Sequence, residues 1–399
     1  MSPPRRRAKP TVLSAFTGAG GLDLGLRKAG FRNVGCIERD EQARETIKAN
    51  NLGRLLNPGD IVEVAKSLTP KALGLRVREL SVLAGAPPCQ PFSKAAQWAH
   101  SGRAGLKDER SSCVGAFFEI AAAFLPAVIL IENVPGFVTG ETSALAAVEA
   151  FLNEINRVHR TQYSLHHARL DSCDFGVPQR RDRAILVALR DGGDFSWPEP
   201  THRDNPMRAY DAIGRLHNNE LPLPTGKWAR LLPSIPEGQN YLYHTPEGNG
   251  RPLFGRRTRF WSFLLKLAKD EPSWTLPAQA GPATGPFHWK GRPLTVKEML
   301  RLQSFPASWQ VTGVRQKQVK QVGNATPPLL AEVVGRAIGE QVFGRKYNGR
   351  PKLSIARVRR VPAATPTKPV PAEYARCEGA HRPHAGEGKG PKPIRRAAS

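Results

Sequence analysis

Acidic residues are scarce: 34 Asp and Glu stand against 59 Lys and Arg in 399 residues, a formal net charge of +25. That imbalance points to a polyanionic partner, of which nucleic acid is the commonest. Cysteine is also sparse. Cys36, Cys89, Cys113, Cys173 and Cys377 are an odd number with no CxxC pair, which argues against a disulfide framework or a zinc site and for a reducing compartment. His166 and His167 are adjacent rather than at ligand spacing, so no metal is expected. No apolar run approaches the roughly 18 residues of a membrane span. The amino terminus lacks the apolar core of a secretion signal. The expected setting is the cytoplasm, without a membrane partner.

With 40% hydrophobic residues the chain can bury a substantial core. From Thr11 to about Arg190, short apolar runs alternate with helical stretches, the pattern of βα units and a mostly parallel sheet in an α/β fold. Strands are predicted at Thr11 to Phe16, Asn33 to Ile37, Ser81 to Ala84, Ala127 to Ile131 and Ala184 to Leu189. Several are apolar throughout, as expected of strands covered on both faces. Residues 191–292 break this rhythm. They are rich in Gly, Pro, Arg and Trp, and read as a smaller second domain of irregular structure and short strands whose tryptophans form its core. Regularity returns over 293–344. Thr295 and Glu298 form a capping box for a short helix, and a last helix is predicted to start with Thr326 as N-cap and Pro327 in its first turn. Residues 1–10 carry +4 and residues 345–399 carry +11, leaving +10 for the body. Both ends read as basic, disordered tails.

Chemistry concentrates in a few runs. Gly85-Ala86-Pro87-Pro88-Cys89-Gln90-Pro91 displays one thiol on a proline-stiffened loop just past an apolar strand, where open α/β sheets bind ligands. Phe16-Thr17-Gly18-Ala19-Gly20-Gly21-Leu22-Asp23 joins the first strand to a helix. Asp23 occupies the place of the third glycine of GxGxxG, which makes a pyrophosphate cradle a poorer reading than another nucleoside ligand. Glu38 follows Gly18 by twenty residues, the spacing at which an acid accepts hydrogen bonds from ribose hydroxyls, and Gly59-Asp60-Ile61 is a candidate third wall. Glu132 stands at the tip of the apolar run Ile129-Leu130-Ile131, placed to donate a proton. Gln179-Arg180-Arg181-Asp182-Arg183 precedes another strand and could bind a phosphate or a carbonyl oxygen. Taken singly, each has a plainer alternative: an inert buried cysteine, an ordinary glycine turn, a capping acid, a solvated basic face.

In order and spacing together, these runs resemble the DNA (cytosine-5) methyltransferases over nearly all of residues 11–342. Phe16 to Gly25 resembles the family's first S-adenosylmethionine motif, Pro88-Cys89-Gln90 its catalytic loop, Glu132-Asn133-Val134 its acid motif and Gln179 to Arg183 its arginine motif. Arg292 to Pro306 and Gly323-Asn324-Ala325-Thr326-Pro327-Pro328 resemble the last two motifs. Cys113, where the family usually has leucine, and Asp182, where glutamate is commoner, are conservative departures.

The resemblance implies a Rossmann-like S-adenosylmethionine-dependent methyltransferase fold, with 191–292 as target-recognition domain and 293–344 completing the catalytic domain of 11–190. It implies a cofactor pocket built by Phe16, Gly18, Gly20, Gly21, Leu22, Glu38, Asp60, Ile61, Pro88 and Asn324, with no metal. Cys89 is implied to attack C6 of cytosine and Glu132 to engage the N3 and amine edge. Arg183 would hold O2, and Arg181 would order the site. The implied partner is double-stranded DNA with a flipped-out base, recognised by a monomer, and the compact layout resembles bacterial modification enzymes with a cognate restriction endonuclease. Arg251, Arg256, Arg257 and Arg259 are candidate base-edge contacts. Alternatives are RNA methylation or a noncatalytic scaffold on the same fold.

Overall fold

In the computed structural model, which describes residues 9–88, 113–140, 143–217, 220–255 and 261–378, the amino-terminal part is one sheet covered on both faces. Its strands are β1 (Thr11–Ala15), β2 (Arg32–Ile37), β3 (Val82–Gly85), β4 (Val128–Asn133), β5 (Ser164–Asp171) and β6 (Asp182–Leu189), in the order β2-β1-β3-β4-β6-β5. β1 to β4 pair in parallel, and β6 is antiparallel to both β4 and β5. β6 alone therefore runs against the other five.

Alternation of side chains sends successive apolar residues to opposite faces. Leu13, Leu83, Ile129 and Ile131 join one core with α4 (Cys113–Phe124) and α5 (Leu145–His159), through Phe117, Phe124 and Leu152. Val12, Val82, Val128 and Leu130 join a second core with α1 (Gly21–Lys28) and α9 (Pro328–Phe343), through Leu26, Leu330, Val334 and Ile338. Each such fully buried aliphatic side chain contributes about 1.5–3 kcal/mol relative to exposure. The helices α2 (Glu41–Ala49) and α3 (Ile61–Ser67) follow β2; Asp40 and Asp60 are their N-caps, each accepting a backbone amide.

Among the described residues, 191–292 hold one short helix, α6 (Ala209–Ile213), two 3-10 turns and isolated bridges; the expected short strands are not found, because closely spaced Gly and Pro keep the pairings to single bridges. Leu231, Leu232, Ile235, Tyr241, Leu264 and Phe287 form their core. The tryptophans divide. Trp289 is buried and Trp228 packs on that core, whereas Trp261 is 43% exposed and stands edge-on to Trp274. The chain then returns through α7 (Val296–Leu302), which has the predicted Thr295/Glu298 capping box, and α8 (Arg315–Asn324) before α9.

Two further expectations need correction. The last helix starts at Pro328 with Pro327, not Thr326, as N-cap, because the residue preceding a proline is pushed out of the helical region. Residues 345–378 are packed rather than a free tail: Tyr374 and Val358 are buried, and Tyr347 donates to the Ala29 carbonyl at 2.7 Å. Their Pro- and Arg-rich composition signals disorder, but their backbone is held by side chains of the second region. Among the described residues no helix is long and apolar enough to cross a membrane.

Candidate active site

Because β1 to β4 are parallel, their carboxyl ends open on one edge, and antiparallel β6 starts at the same edge. A cavity of about 1010 Å³ lies there. Its glycine-rich wall follows β1. Phe16 adopts φ 56°, Gly18 55° and Gly20 76°, so the chain turns sharply before α1. Phe16, Gly18, Gly21 and Leu22 line the cavity. Gly20 does not; it is the N-cap of α1 and packs on Leu52, whose Cδ1 would lie 2.0 Å from an added Cβ. At Gly21 an added Cβ would meet the Thr326 carbonyl oxygen at 2.0 Å, so the return segment closes directly on the turn.

Glu38 lies just beyond β2 on the cavity wall. Gly18 N donates to its Oε2 and Asp40 N to its Oε1, both at 2.8 Å, which leaves the carboxylate further lone pairs. Asp60 and Ile61 stand beside it, and Asn324 lines the wall from the return segment. Asp23 is buried beneath the turn, accepting from Ser14 Oγ at 2.9 Å and Asn33 Nδ2 at 2.8 Å. Burial pushes its carboxyl up to about 6, against those hydrogen bonds.

The other end of the cavity is basic. Glu132 faces Ile185 in the β4/β6 register, which sets Arg183 diagonally across from it on the same face. Arg183 Nε lies 2.9 Å from Glu132 Oε1, an ion-pair contact without hydrogen-bond alignment, and both side chains are at least nine-tenths buried. Arg181 is fully buried. Its Nη2 donates to the Gly323 carbonyl at 2.8 Å, while Nε and Nη1 have no hydrogen-bond partner among the described residues. Burial, then neighbouring Arg183, push its guanidinium down to about 9 while Glu132 opposes, so it remains a cation at neutral pH.

Pro87 and Pro88 line the cavity beside Glu132. Asn133 Nδ2 donates to the Pro87 carbonyl at 2.8 Å, tying the end of β4 to the loop that leads to Cys89. Cys89 itself lies outside the described residues, as do Arg256, Arg257 and Arg259. Arg251 is paired with Glu378, its Nε 2.7 Å from Oε2.

Sequence reasoning missed two walls. Thr275 to Ala278 line the cavity because Ser273 pairs with Gln179 and Thr275 Oγ1 donates to the Arg180 carbonyl. Lys317 and Lys320 line it from polar α8. Neither run carries a motif; only the long-range pairing reveals them.

The donor set fits a nucleoside cofactor. Carboxylates at one end suit ribose hydroxyls and an exocyclic amine, a tight backbone turn admits close approach, and the cavity leaves room for a second, base-sized group at the basic end. The sheet and this strand-edge pocket define a Rossmann-like methyltransferase. The family model for C-5 cytosine-specific DNA methylases matches residues 11–340, and the chain belongs to that family. It is thus a DNA cytosine-5 methyltransferase, with S-adenosylmethionine as methyl donor. Among curated relatives, the Type II methyltransferase M.SacI of Streptomyces achromogenes is 31% identical over 372 residues, covering 83% of this chain and 93% of that one. M.Eco47II of Escherichia coli is 32% identical over 348 residues, covering 82% and 78%. A solved putative DNA modification methyltransferase encoded within an E. coli prophage shares the fold, with TM-score 0.54, 19% identity and coverage of 84% and 99%.

Proposed function

We propose that the chain methylates a flipped-out cytosine in duplex DNA through a covalent Cys89 adduct, as the modification enzyme of a restriction-modification system. The observation that carries this reading is the Glu132–Arg183 pair at 2.9 Å, buried beside the Pro87-Pro88 loop that leads into Cys89. C5 of cytosine is a poor nucleophile until a thiolate adds to C6. Glu132 engages N3 and the amine, offsetting the charge that develops as Cys89 attacks. Arg183 holds O2, and Arg181 braces both through its bond to Gly323. S-adenosylmethionine supplies the electrophilic methyl group. With S-adenosylhomocysteine as the leaving group of that transfer, loss of the C5 proton to water and expulsion of the Cys89 thiolate then restore aromaticity.

The cofactor-binding set is Phe16, Gly18, Gly20, Gly21, Leu22, Glu38, Asp60, Ile61, Pro88 and Asn324. Gly20 acts indirectly, by shaping the turn. A stacked base cannot enter this pocket, so flipping costs a few kcal/mol that contacts from 191–292 must offset. The basic body supplies phosphate contacts. The chain acts as a monomer in the bacterial cytoplasm, and its relatives' Type II names support a cognate endonuclease as genetic partner. DNA carrying 5-fluorocytosine tests the mechanism, because fluorine at C5 cannot leave as a proton does. A stable protein–DNA adduct is expected with wild type and S-adenosylmethionine and none with Cys89→Ser; an equal adduct yield in the variant would sink the reading.

A further inference from the structure

The family match ends at residue 340, yet the chain continues in an ordered course to Glu378. After α9, Gly344 ends the helix in the left-handed conformation and Tyr347 fixes the exit against Ala29. The chain then crosses onto the second region and is gripped at two stations by buried ion pairs. At the first, Asp211 Oδ1 accepts from Val358 N at 2.8 Å and Arg208 donates to the Val358 carbonyl, while Arg208 and Asp211 pair with each other at 2.8 Å. At the second, Glu237 Oε1 accepts from Thr365 N at 2.9 Å and Lys269 Nζ donates to the Ala363 carbonyl at 2.8 Å, with Glu237 and Lys269 themselves 2.8 Å apart. At each station a carboxylate takes an amide and a cation takes a carbonyl, so charged side chains do for this segment what a neighbouring strand does in a sheet.

Beyond the stations, Lys368 N donates to the Pro233 carbonyl at 3.0 Å. Tyr374 stacks on Trp228 with ring centroids 5.6 Å apart, and its hydroxyl donates to the Lys227 carbonyl at 2.9 Å. Glu373 and Glu378 then pair with Arg230 and Arg251. Among its described residues the region so held has little regular structure of its own: one five-residue helix and two 3-10 turns. A loop-built surface reads bases only if something fixes its loops.

We propose that residues 345–378 are a strap that fixes the DNA-reading surface of residues 191–292, with Thr365 and Tyr374 as positioning residues for sequence recognition. This rests on the reading of 191–292 as the recognition region. The strap's first residues also touch the ends of α1 and α9, where Arg336 donates to the Gly349 carbonyl, and Ile355 packs on the core around α7. Thr365 and Tyr374 contact only the second region among the described residues, and neither lines the cavity, so loosening the strap at those two positions separates DNA recognition from cofactor binding.

The test uses the full chain carrying Thr365→Pro together with Tyr374→Ala, with Tyr374→Phe as the conservative variant. Proline deletes the amide held by Glu237, and alanine removes the ring on Trp228. Wild type must first methylate DNA; if it does not, the functional reading fails independently of the strap. The half-saturating DNA concentration of the double variant should rise about tenfold or more. S-adenosylmethionine binding by calorimetry should stay within about twofold, and methylation at sites differing by one base pair should gain relative to the preferred site. Tyr374→Phe, which keeps the stacked ring, should remain close to wild type. An unchanged DNA requirement and site preference in the double variant would overturn the proposal. So would a parallel loss of cofactor affinity, which marks the strap as support for the whole fold.

Discussion

Asn133 Nδ2 donates to the Pro87 carbonyl at 2.8 Å, and its own side-chain oxygen accepts from Val134 N at 2.9 Å. One amide thereby joins the acid-bearing end of β4 to the loop that carries Cys89. Asn133→Ala leaves a buried carbonyl without a donor, at about 1–3 kcal/mol. The expected result is a fall in kcat of roughly tenfold to a hundredfold, with S-adenosylmethionine binding retained. Stopped-time assays alongside calorimetry separate the two.

Glu132→Gln keeps the shape of the side chain and removes the charge beside Arg183. Breaking a buried pair on one side costs about 3–5 kcal/mol because the partner stays buried without compensation. The melting temperature should fall, and methyl transfer should drop by roughly 10² or more as base activation is lost. Glu132→Gln combined with Arg183→Met should regain melting temperature without regaining activity. A double variant no more stable than Glu132→Gln would show that the two side chains are not energetically coupled.

The Gly21 site is closed by backbone rather than by a flexible side chain. With Thr326 O 2.0 Å from an added Cβ, Gly21→Ala must push the return segment off α1, costing about 1–3 kcal/mol. Cofactor affinity should fall with stability, whereas an alanine that leaves both unchanged would contradict the packing described.

Asp23 sets a pH dependence of known sign. Its carboxyl is pushed from 3.8 to about 6 by burial, so between about pH 4 and 6 the folded chain holds a proton that the unfolded chain has lost. Stability therefore falls as pH rises through that window. The drop is about 3 kcal/mol at 1.36 kcal/mol per pH unit, and the curve is flat for this group above it. Asp23→Asn should remove that component: from pH 6 to pH 4, wild type should gain stability relative to the variant in denaturant titrations. Parallel curves for the two proteins would refute the assignment.

The parts legible in the sequence are those whose burial shows locally. β1, β2, β4 and most of β6 are apolar runs, and the acid and arginine motifs sit at their ends. β5 was missed because Ser164-Leu165-His166-His167-Ala168-Arg169 forms an edge strand, paired on one side and partly exposed. α8 was missed because Arg315-Gln316-Lys317-Gln318 has no apolar stripe of its own. Thr275 to Ala278 reach the pocket only through pairing with Gln179 and Arg180, nearly a hundred residues away. The segment to Glu378 reads as a disordered tail because what orders it is not its own composition but Asp211, Glu237 and Lys269 holding its backbone.

The most direct test of the central claim is the product itself. Purified protein, S-adenosylmethionine and unmethylated DNA, digested to nucleosides and analysed by mass spectrometry, should yield 5-methylcytosine from wild type and none from Cys89→Ser. Transfer RNA treated in parallel should remain unmodified. Methylation confined to the RNA, or 5-methylcytosine that persists without Cys89, would contradict the account.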